Sequence, residues 1–427
     1  MCAINAPRSS RVHDEVVLLG LVFAAAVSIR PVVAGERICA EAPLKTFYAR
    51  RNNEVAWSDA NAHELIDAIS HADEDGLRSS DYHLEAIRSV DSPEDRDLLL
   101  TDAFLLFATH LLAGRVDPNS IEPTWCLEPR ANDVVASLET SLAEQNVREM
   151  LARLAPSHAG YRRLREELAR LRAAALRGEP VGDRIRQVEL NLERWRWLPA
   201  SLGSRYVLVN IPEFHLSVIE NERDVLSMRI VVGKEYQQTP VFSAAITQVV
   251  FSPYWNVPDS IAEKEIRPKI RRNSSYLRRE HMEIVNGRIR QRPGPWNSLG
   301  LIKFNMPNRY DVYLHDTPAR SLFDETARAF SHGCMRVEKP VDLAMLLLGW
   351  ERDRVVAESK RGKEKFVDLA SPVPVHVLYW TAYVGEDDEL HFAPDVYHRD
   401  EVLDRAMRLP PPSSPRAPSV PAASSAP

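Results

Sequence analysis

The hydrophobic pattern of this chain changes its period at Pro199. Before that residue, apolar side chains recur every three or four positions, as in RDLLLTDAFLLFATHLLAG (residues 96–114), and this spacing predicts helices. After it, short runs rich in Val, Ile and aromatic residues alternate with Pro, Gly and Asn, which predicts strands. We therefore expect an α+β multidomain protein in which an α-helical domain (residues 40–198) precedes a mainly β domain (residues 199–398).

A charged segment interrupts the predicted strands of the second domain. The stretch DSIAEKEIRPKIRRNSSYLRREHM (residues 259–282) has a helical pattern, and strand texture resumes only at LIKFNM (residues 301–306). The sequence thus predicts a helical insertion over about residues 258–300.

The beginning of the chain resembles a targeting segment. Two arginines precede the apolar run VVLLGLVFAAAVSI (residues 16–29), and Val32 and Ala34 supply the small residues of a cleavage site. This order predicts a secretory signal peptide over residues 1–34. The alternative is an uncleaved membrane anchor, although the run is shorter than the ~20 residues of a membrane span. Both interpretations put the rest of the chain outside the cytoplasm.

The other end of the chain has a biased composition. The stretch LPPPSSPRAPSVPAASSAP (residues 409–427) is rich in Pro, Ser and Ala and lacks the apolar residues that a packed core requires. We expect it to be disordered.

Charge excludes one class of function. The formal net charge is −6, and the arginines are scattered along predicted helices rather than clustered. Nucleic-acid-binding proteins normally carry a basic excess, so we expect no nucleic-acid partner.

The chain has four cysteines: Cys2, Cys39, Cys126 and Cys334. Cleavage of the signal would remove Cys2 and leave an odd number. In an oxidising compartment Cys39 and Cys126 either pair, which leaves Cys334 free, or both stay unpaired. A free thiol in an exported protein points to reactivity, so the surroundings of Cys334 matter.

Cys334 lies in AFSHGCMRVEKP (residues 329–340), and a second histidine precedes it in the predicted strand DVYLHD. A thiol is a useful nucleophile only as thiolate, which requires a base, and its reaction requires N–H donors for an oxyanion. His315, at the end of that strand, is the candidate base. Gly333 allows a sharp turn that aims its own amide and that of the cysteine at a carbonyl oxygen. Arg336 either anchors the loop or binds a substrate carboxylate.

Two other interpretations fit the same residues. His315, His332 and Cys334 together could ligate zinc, although a structural site would need a fourth ligand and familiar spacings that the sequence lacks. In the other interpretation, the cysteine is buried and inert and both histidines have structural partners. The residues alone leave these alternatives open.

A resemblance favours the nucleophile. SHGCMRVEKP (residues 331–340) after VYLHDTP (residues 312–318) resembles the catalytic signature of the L,D-transpeptidases, the YkuD-like family. The similarity extends over nearly the whole mature chain, including FYARRNNEVAWSDANAHELIDAISHADEDGLRSSDYHLEAI (residues 47–87), and is to the large branch that bears a scaffold domain. It implies a YkuD-like β-sandwich for the catalytic domain and a lid-like capping role for the charged insertion.

One part of that branch is missing from this chain. A small peptidoglycan-binding domain usually separates the segments that correspond here to residues 160–175 and 184–199, and only LRGEPVG (residues 176–182) joins them. We expect this module to be absent, so that glycan targeting depends on the catalytic domain or on a partner.

The resemblance implies a reaction. Cys334 would attack the carbonyl between the L-centre of diaminopimelate and D-alanine in a tetrapeptide stem, with His315 as the base. Amides of Gly333 and Cys334, with help near Tyr313, would stabilise the oxyanion. D-Alanine would leave a thioester, and the amine of a second stem would resolve it into a 3→3 cross-link without metal or other cofactor. Acylation by carbapenems and a periplasmic location are further expectations.

The remaining residues have supporting roles in this interpretation. His332 shapes the loop, and Arg336 anchors it. Trp255, Asn256 and Trp296 either line the substrate groove or simply pack. Expected partners are stem peptides, as acyl donor and acceptor, and other cell-wall synthesis proteins. The alternatives are an L,D-carboxypeptidase or cross-link hydrolase with the same two residues, and a non-catalytic cell-wall scaffold protein.

Overall fold

The structure is a computed structural model. It describes the following residues: 27–122, 125, 127 and 130–411. Most of the predicted signal peptide and of the predicted disordered tail lies outside these residues, as does Cys126, so a disulfide from it stays a prediction. Cys39 is a free, buried thiol. The residues just before the helical domain pack onto it, since Val33 is buried and the Val27 amide donates to the Asn53 carbonyl at 2.6 Å.

The described residues contain helices and strands in the predicted order. The α-helices, α1 to α15 in chain order, are Glu41–Arg50, Asp59–Ser70, Leu84–Ser89, Pro93–Ala113, Pro118–Ile121, Val134–Glu144, Val147–Leu154, Ala159–Leu176, Arg184–Arg196, Asp259–Ile261, Arg267–Arg272, Tyr276–Arg279, Pro340–Leu348, Arg352–Ser359 and Arg399–Arg408. The strands, β1 to β16, are Val32–Val33, Glu36–Arg37, Arg205–Asn210, His215–Glu220, Arg223–Gly233, Phe242–Phe251, Trp255–Asn256, Met282–Val285, Arg288–Gln291, Ile302–Asn305, Leu314–His315, Ala329–Ser331, Met335–Val337, Lys365–Leu378, Ala382–Val384 and Leu390–Phe392. Short 3₁₀ turns occupy Ala72–Asp75, Ser79–Tyr82, Glu235–Gln237 and Arg320–Asp324, and Ala262–Ile266 is a π-helical turn.

Helix α4 is the centre of the helical domain. It begins at the Ser92 cap, whose hydroxyl accepts the Asp95 amide, and ends at Gly114, the stop that the sequence indicates. Every side chain from Asp97 to Leu112 is buried. A helix that is apolar on all sides must be surrounded, and α1, α2, α6 and α7 pack around it.

The β domain is one mixed sheet of nine strands, in the order β12-β5-β13-β11-β10-β6-β14-β3-β4. Its long strand β5 pairs with β4 through its first half and with β13 and β12 through its second. Because β4 is also the last strand of the order, the sheet closes on itself around one apolar core. The expectation of a helical region followed by a mainly β domain is confirmed.

Helices α8 and α9 share the core of the sheet. Buried residues of both helices, among them Tyr161, Leu164 and Leu192, belong to the same apolar cluster as the strands, whereas the buried residues of α1 to α7 form a separate cluster. The Trp195 ring stacks on Trp380 with centroids 4.3 Å apart. The turn between α8 and α9 is where the peptidoglycan-binding module is expected in other members of the resembled branch.

The charged insertion forms a cap with its own small core. Helices α10 to α12 are followed by the hairpin β8–β9, and β9 pairs with β7 so that Gln291 lies opposite Trp255. The sequence pattern predicts the helices but not this hairpin, whose turn uses Asn286 and Gly287 at positive φ. The cap core consists of Val257, Ala262, Ile266, Tyr276, Met282 and Ile289.

Across the described part of the chain, no helix combines the length and apolar character needed to cross a membrane.

Candidate active site

The register of two parallel strands brings the candidate residues together. In β11 and β13, Leu314 lies opposite Met335 and His315 lies opposite Arg336. The Met335 amide also donates to the Tyr313 carbonyl at 3.1 Å. One residue earlier on β13, Cys334 therefore lies beside Tyr313, the residue that precedes β11.

A third strand completes the site. Strand β10 pairs with β11 so that Lys303 lies opposite His315. Alternate residues of a strand share a face, so Tyr313 and His315 project from the same face. Tyr313 and Cys334 form one row on this face, which we call the thiol row. The second row, which we call the imidazole row, consists of Lys303, His315 and Arg336, and all five side chains line one cavity.

The cap covers this cavity, whose volume is about 780 Å³. Trp255 and Asn256 line it, together with cap residues such as Ile261 and Tyr276. Trp296 is not among its lining residues, since its ring stacks on His281 at 3.8 Å and is 43% exposed. Of the three residues that the sequence suggests for a substrate groove, the structure brings two to the cavity.

The loop that carries the thiol is held by two hydroxyl groups. Ser331 Oγ accepts the Gly333 amide at 3.2 Å and donates to the Cys334 carbonyl at 2.5 Å. Thr239 Oγ1 donates to the Gly333 carbonyl and accepts the Gly233 amide, both at 2.9 Å. Gly333 has a φ of +108°, which a residue with a side chain rarely adopts. The Cys334 amide has no protein acceptor in the described residues and remains available as a donor.

A chain of hydrogen bonds continues from this loop into the domain. The Tyr397 hydroxyl donates to the Gly233 carbonyl at 2.6 Å, and the Thr239 amide donates to that hydroxyl at 3.3 Å. The Tyr397 amide in turn donates to the Tyr379 hydroxyl, which donates to Asp395. These side chains are buried or partly buried, so they fix the thiol loop relative to the start of α15.

The thiol of Cys334 is neutral at rest. Burial raises its pKa, although donors from the backbone and side chain of Tyr313 and the positive charge of Lys303 lower it. The Sγ atom donates to the Asp311 carbonyl at 3.8 Å, a long contact for a hydrogen bond. No hydrogen bond joins Sγ to His315, although both line the same cavity. The thiol thus awaits a base rather than being ionised in advance.

The imidazole of His315 is neutral as well. Burial and the adjacent Arg336 and Lys303 charges lower its pKa to about 3, against the opposing effect of a hydrogen bond to Asp316. That bond runs from Nδ1 to the Asp316 carbonyl at 2.5 Å. A carbonyl oxygen can only accept, so Nδ1 carries the proton and Nε2 carries the lone pair of a base.

His332 faces away from this pair. Its Nε2 lies 2.7 Å from Glu265 Oε1, which joins the thiol loop to the cap. His315, His332 and Cys334 do not converge as a set of metal ligands, and the parts of the chain with described coordinates contain no other group of three such side chains.

Sequence reasoning missed several residues of the site. Lys303 left a signal, because it is the single charge in LIKFNM and alternates with the buried Ile302 and Phe304. Thr239 and Glu265 left none, because their contacts are to residues distant in the sequence.

Two family models match the chain where these domains lie. Residues 42–168 match the Scaffold domain, and residues 204–363 match YkuD, described as an L,D-transpeptidase catalytic domain. The fold and the site thus define a protein with a YkuD catalytic domain joined to a helical Scaffold domain. The chain belongs to the L,D-transpeptidase family.

Individual relatives agree with this assignment. A Haemophilus influenzae protein named as a candidate L,D-transpeptidase is 26% identical over 394 residues, which cover 85% of this chain and 79% of that protein. A solved L,D-transpeptidase from Mycobacterium smegmatis is 12% identical, with 42% of this chain and 60% of that chain covered and a TM-score of 0.24. One solved in complex with imipenem is 16% identical, with coverage of 41% and 59% and a TM-score of 0.23. The chain spans about three fifths of these two structures, and such TM-scores support no structural argument.

Proposed function

We propose that this protein is a peptidoglycan L,D-transpeptidase that forms 3→3 cross-links through a cysteine thioester. The observation that carries the proposal is the strand register that puts Cys334 and His315 in adjacent rows on one face, in a covered cavity of a YkuD domain. A neutral imidazole with a free Nε2, beside a thiol that must lose its proton, is suited to general-base catalysis.

Acylation begins with both groups neutral. His315 Nε2 takes the thiol proton as Cys334 Sγ forms a bond to the carbonyl carbon between diaminopimelate and D-alanine. The carbonyl π electrons move to oxygen, and the oxyanion meets the Cys334 amide and the Tyr313 hydroxyl. When the oxyanion collapses, the C–N bond breaks and the imidazolium returns its proton to the leaving amine. D-Alanine leaves and a thioester remains.

Deacylation reverses the roles with a new amine. The side-chain amine of a second stem attacks the thioester carbon and gives a proton to His315, and the C–S bond breaks. The thiolate recovers that proton, so the enzyme returns to its starting state with one amide broken and one formed. This exchange needs neither a metal ion nor ATP.

Gly333 has a conformational role in this scheme. Its amide donates to Ser331, so the oxyanion depends on the Cys334 amide and on Tyr313. We infer that Gly333 serves by its positive φ, which turns the backbone so that the next amide points into the cavity.

Location and partners follow from the proposed reaction. The substrate is outside the cytoplasm, which agrees with the predicted signal peptide and a periplasmic enzyme, whether released or anchored. Carbapenems, of which imipenem is bound to the related enzyme named above, would acylate the same thiol. The helical Scaffold domain offers a surface for other cell-wall synthesis proteins.

Product analysis tests the proposal. The full chain is incubated with a tetrapeptide stem, and we expect free D-alanine together with a cross-linked dimer. Cys334→Ala should release no D-alanine, whereas Cys39→Ala, which removes the other described free thiol, should behave as wild type. Tripeptide without dimer would instead indicate an L,D-carboxypeptidase, and D-alanine release by Cys334→Ala would contradict the proposed nucleophile.

A further inference from the structure

Among the described residues, Lys303 and Arg336 are cations without a counter-ion inside the active-site cavity. Neither forms an ion pair or a hydrogen bond through its charged group with any described residue, and the ammonium of Lys303 lies 4.0 Å from the centre of the Tyr313 ring. Partial burial without a carboxylate nearby lowers the pKa of both groups. Most other buried basic side chains of the described fold have acidic partners, as Arg196 has Glu193.

Such a pair is unfavourable for folding. A desolvated charge without a partner destabilises the folded state, and two of the same sign on one face also repel each other. The molecule would gain from an anion between them, and no described acidic side chain supplies one. The position next to the candidate base suggests that a substrate supplies it.

We propose that Lys303 and Arg336 bind the free carboxylate of the D-amino acid that leaves during acylation. The proposal rests on the proposed function. It makes these two residues determinants of specificity for a leaving group with an α-carboxylate.

The geometry of the two rows supports this assignment. The scissile carbonyl must lie at the thiol row, where Cys334 attacks it, and the leaving amine must lie near His315, which protonates it. The carboxylate is two bonds from that amine and so falls over the imidazole row. Lys303 and Arg336 flank His315 on the two neighbouring strands, so their backbones are roughly 10 Å apart. Two long side chains can converge on one carboxylate across that distance.

The same arrangement suits the second half of the reaction. The acceptor amine of diaminopimelate also has a carboxylate on its own carbon. That carboxylate would occupy the space that the departed D-amino acid left. One pair of cations would therefore position both the leaving and the attacking amine beside His315.

A comparison of matched donors tests the proposal. The full chain is given a tetrapeptide that ends in D-alanine, the same peptide ending in D-alaninamide, and a third with the side-chain carboxyl of diaminopimelate amidated. We expect wild type to prefer the acid over the D-alaninamide by roughly 10- to 100-fold in kcat/KM, the range of charge-assisted hydrogen bonds. Lys303→Met and Arg336→Gln should each reduce this ratio about 10-fold, and Lys303→Arg should retain most of it.

The ratio separates substrate binding from other effects of the charge. Lys303 also stabilises the thiolate, so its loss slows both donors, but only a carboxylate contact changes their ratio. Lys365→Met is the matched control, because Lys365 lies in the same sheet, pairs with Glu358 and is outside the cavity. Its ratio should equal that of wild type.

Three results would overturn the proposal. A wild-type ratio near one would do so, as would variants that slow both donors equally. A preference that follows the diaminopimelate carboxyl would assign the pair to that group instead. If wild type released neither D-alanine nor D-alaninamide, the proposed function itself would fail, and the carboxylate site with it.

Discussion

His315 and Arg336 lie directly opposite each other on the parallel strands β11 and β13. The guanidinium therefore acts on the imidazole at close range and, with burial, holds the pKa of His315 far below its usual value, at about 3. A histidine kept neutral in this way is a base throughout the physiological range. The register thus decides both which residues meet and what protonation state the base has.

The first prediction concerns the pH dependence of the thiol. Burial raises the pKa of Cys334, and His315 is neutral, so no thiolate–imidazolium pair should exist at rest. We expect the alkylation rate of Cys334 by iodoacetamide, followed by peptide mapping, to rise with pH beyond the usual thiol pKa of about 8.5. A plateau of high reactivity between about pH 5 and 8 would mean that the pair is ionised.

The second prediction concerns the base. His315→Ala should slow acylation by roughly 10²- to 10⁴-fold, the usual contribution of a general base. His376→Ala is the control, because His376 is also buried in the β domain but bonds to Ser243 and the Leu202 carbonyl. Single-turnover acylation measures both variants at a temperature where each is folded. Equal losses in the two variants would remove His315 from the mechanism.

The third prediction concerns the contact between cap and thiol loop. The His332–Glu265 pair is partly exposed, and pairs of this kind contribute about 0.2–1 kcal/mol. Glu265→Gln should therefore increase hydrogen exchange of the cap helices by roughly 1.4- to 5-fold without abolishing acylation. Glu263→Gln removes a neighbouring pair with Arg267 that lies wholly within the cap. If both variants loosen the cap equally, the His332 contact does not hold it closed.

The fourth prediction concerns Thr239. Thr239→Val leaves the Gly333 carbonyl and the Gly233 amide without their partner, a loss of about 1–3 kcal/mol in a buried site. Because Gly333 adjoins the nucleophile, we expect acylation to fall at least 10-fold with little change in KM. Thr109→Val, at a buried threonine bonded within α4, should alter stability without altering acylation. Unchanged acylation in folded Thr239→Val would show that the loop needs no such support.

The sequence predicts the local features of this protein well. The stop at Gly114 and the strand that ends at His315 depend on short-range spacing, which is visible in one sequence. The two-residue strand β11 then needs only its pairing with β13 to bring His315 near Cys334. The motif residues are therefore identifiable from the amino-acid sequence, although the register that joins them is not.

Contacts between distant segments are not predictable in the same way. Thr239 and Tyr397 reach the thiol loop from opposite parts of the β domain, and no periodic pattern marks either residue. Trp296 shows the reverse, since an aromatic residue near the cavity in sequence stacks on His281 instead. Packing decides such positions, and the pattern of a single chain does not contain that information.

The central claim is that Cys334 forms the thioester, and its most direct test is to isolate that species. The full chain is mixed with the tetrapeptide donor, quenched in acid and analysed by intact mass and peptide mapping. We predict a tripeptidyl adduct on the peptide that contains Cys334, present in Cys39→Ala and absent in Cys334→Ala. An adduct on another residue, or D-alanine release without any adduct on Cys334 at any time after mixing, would contradict the account.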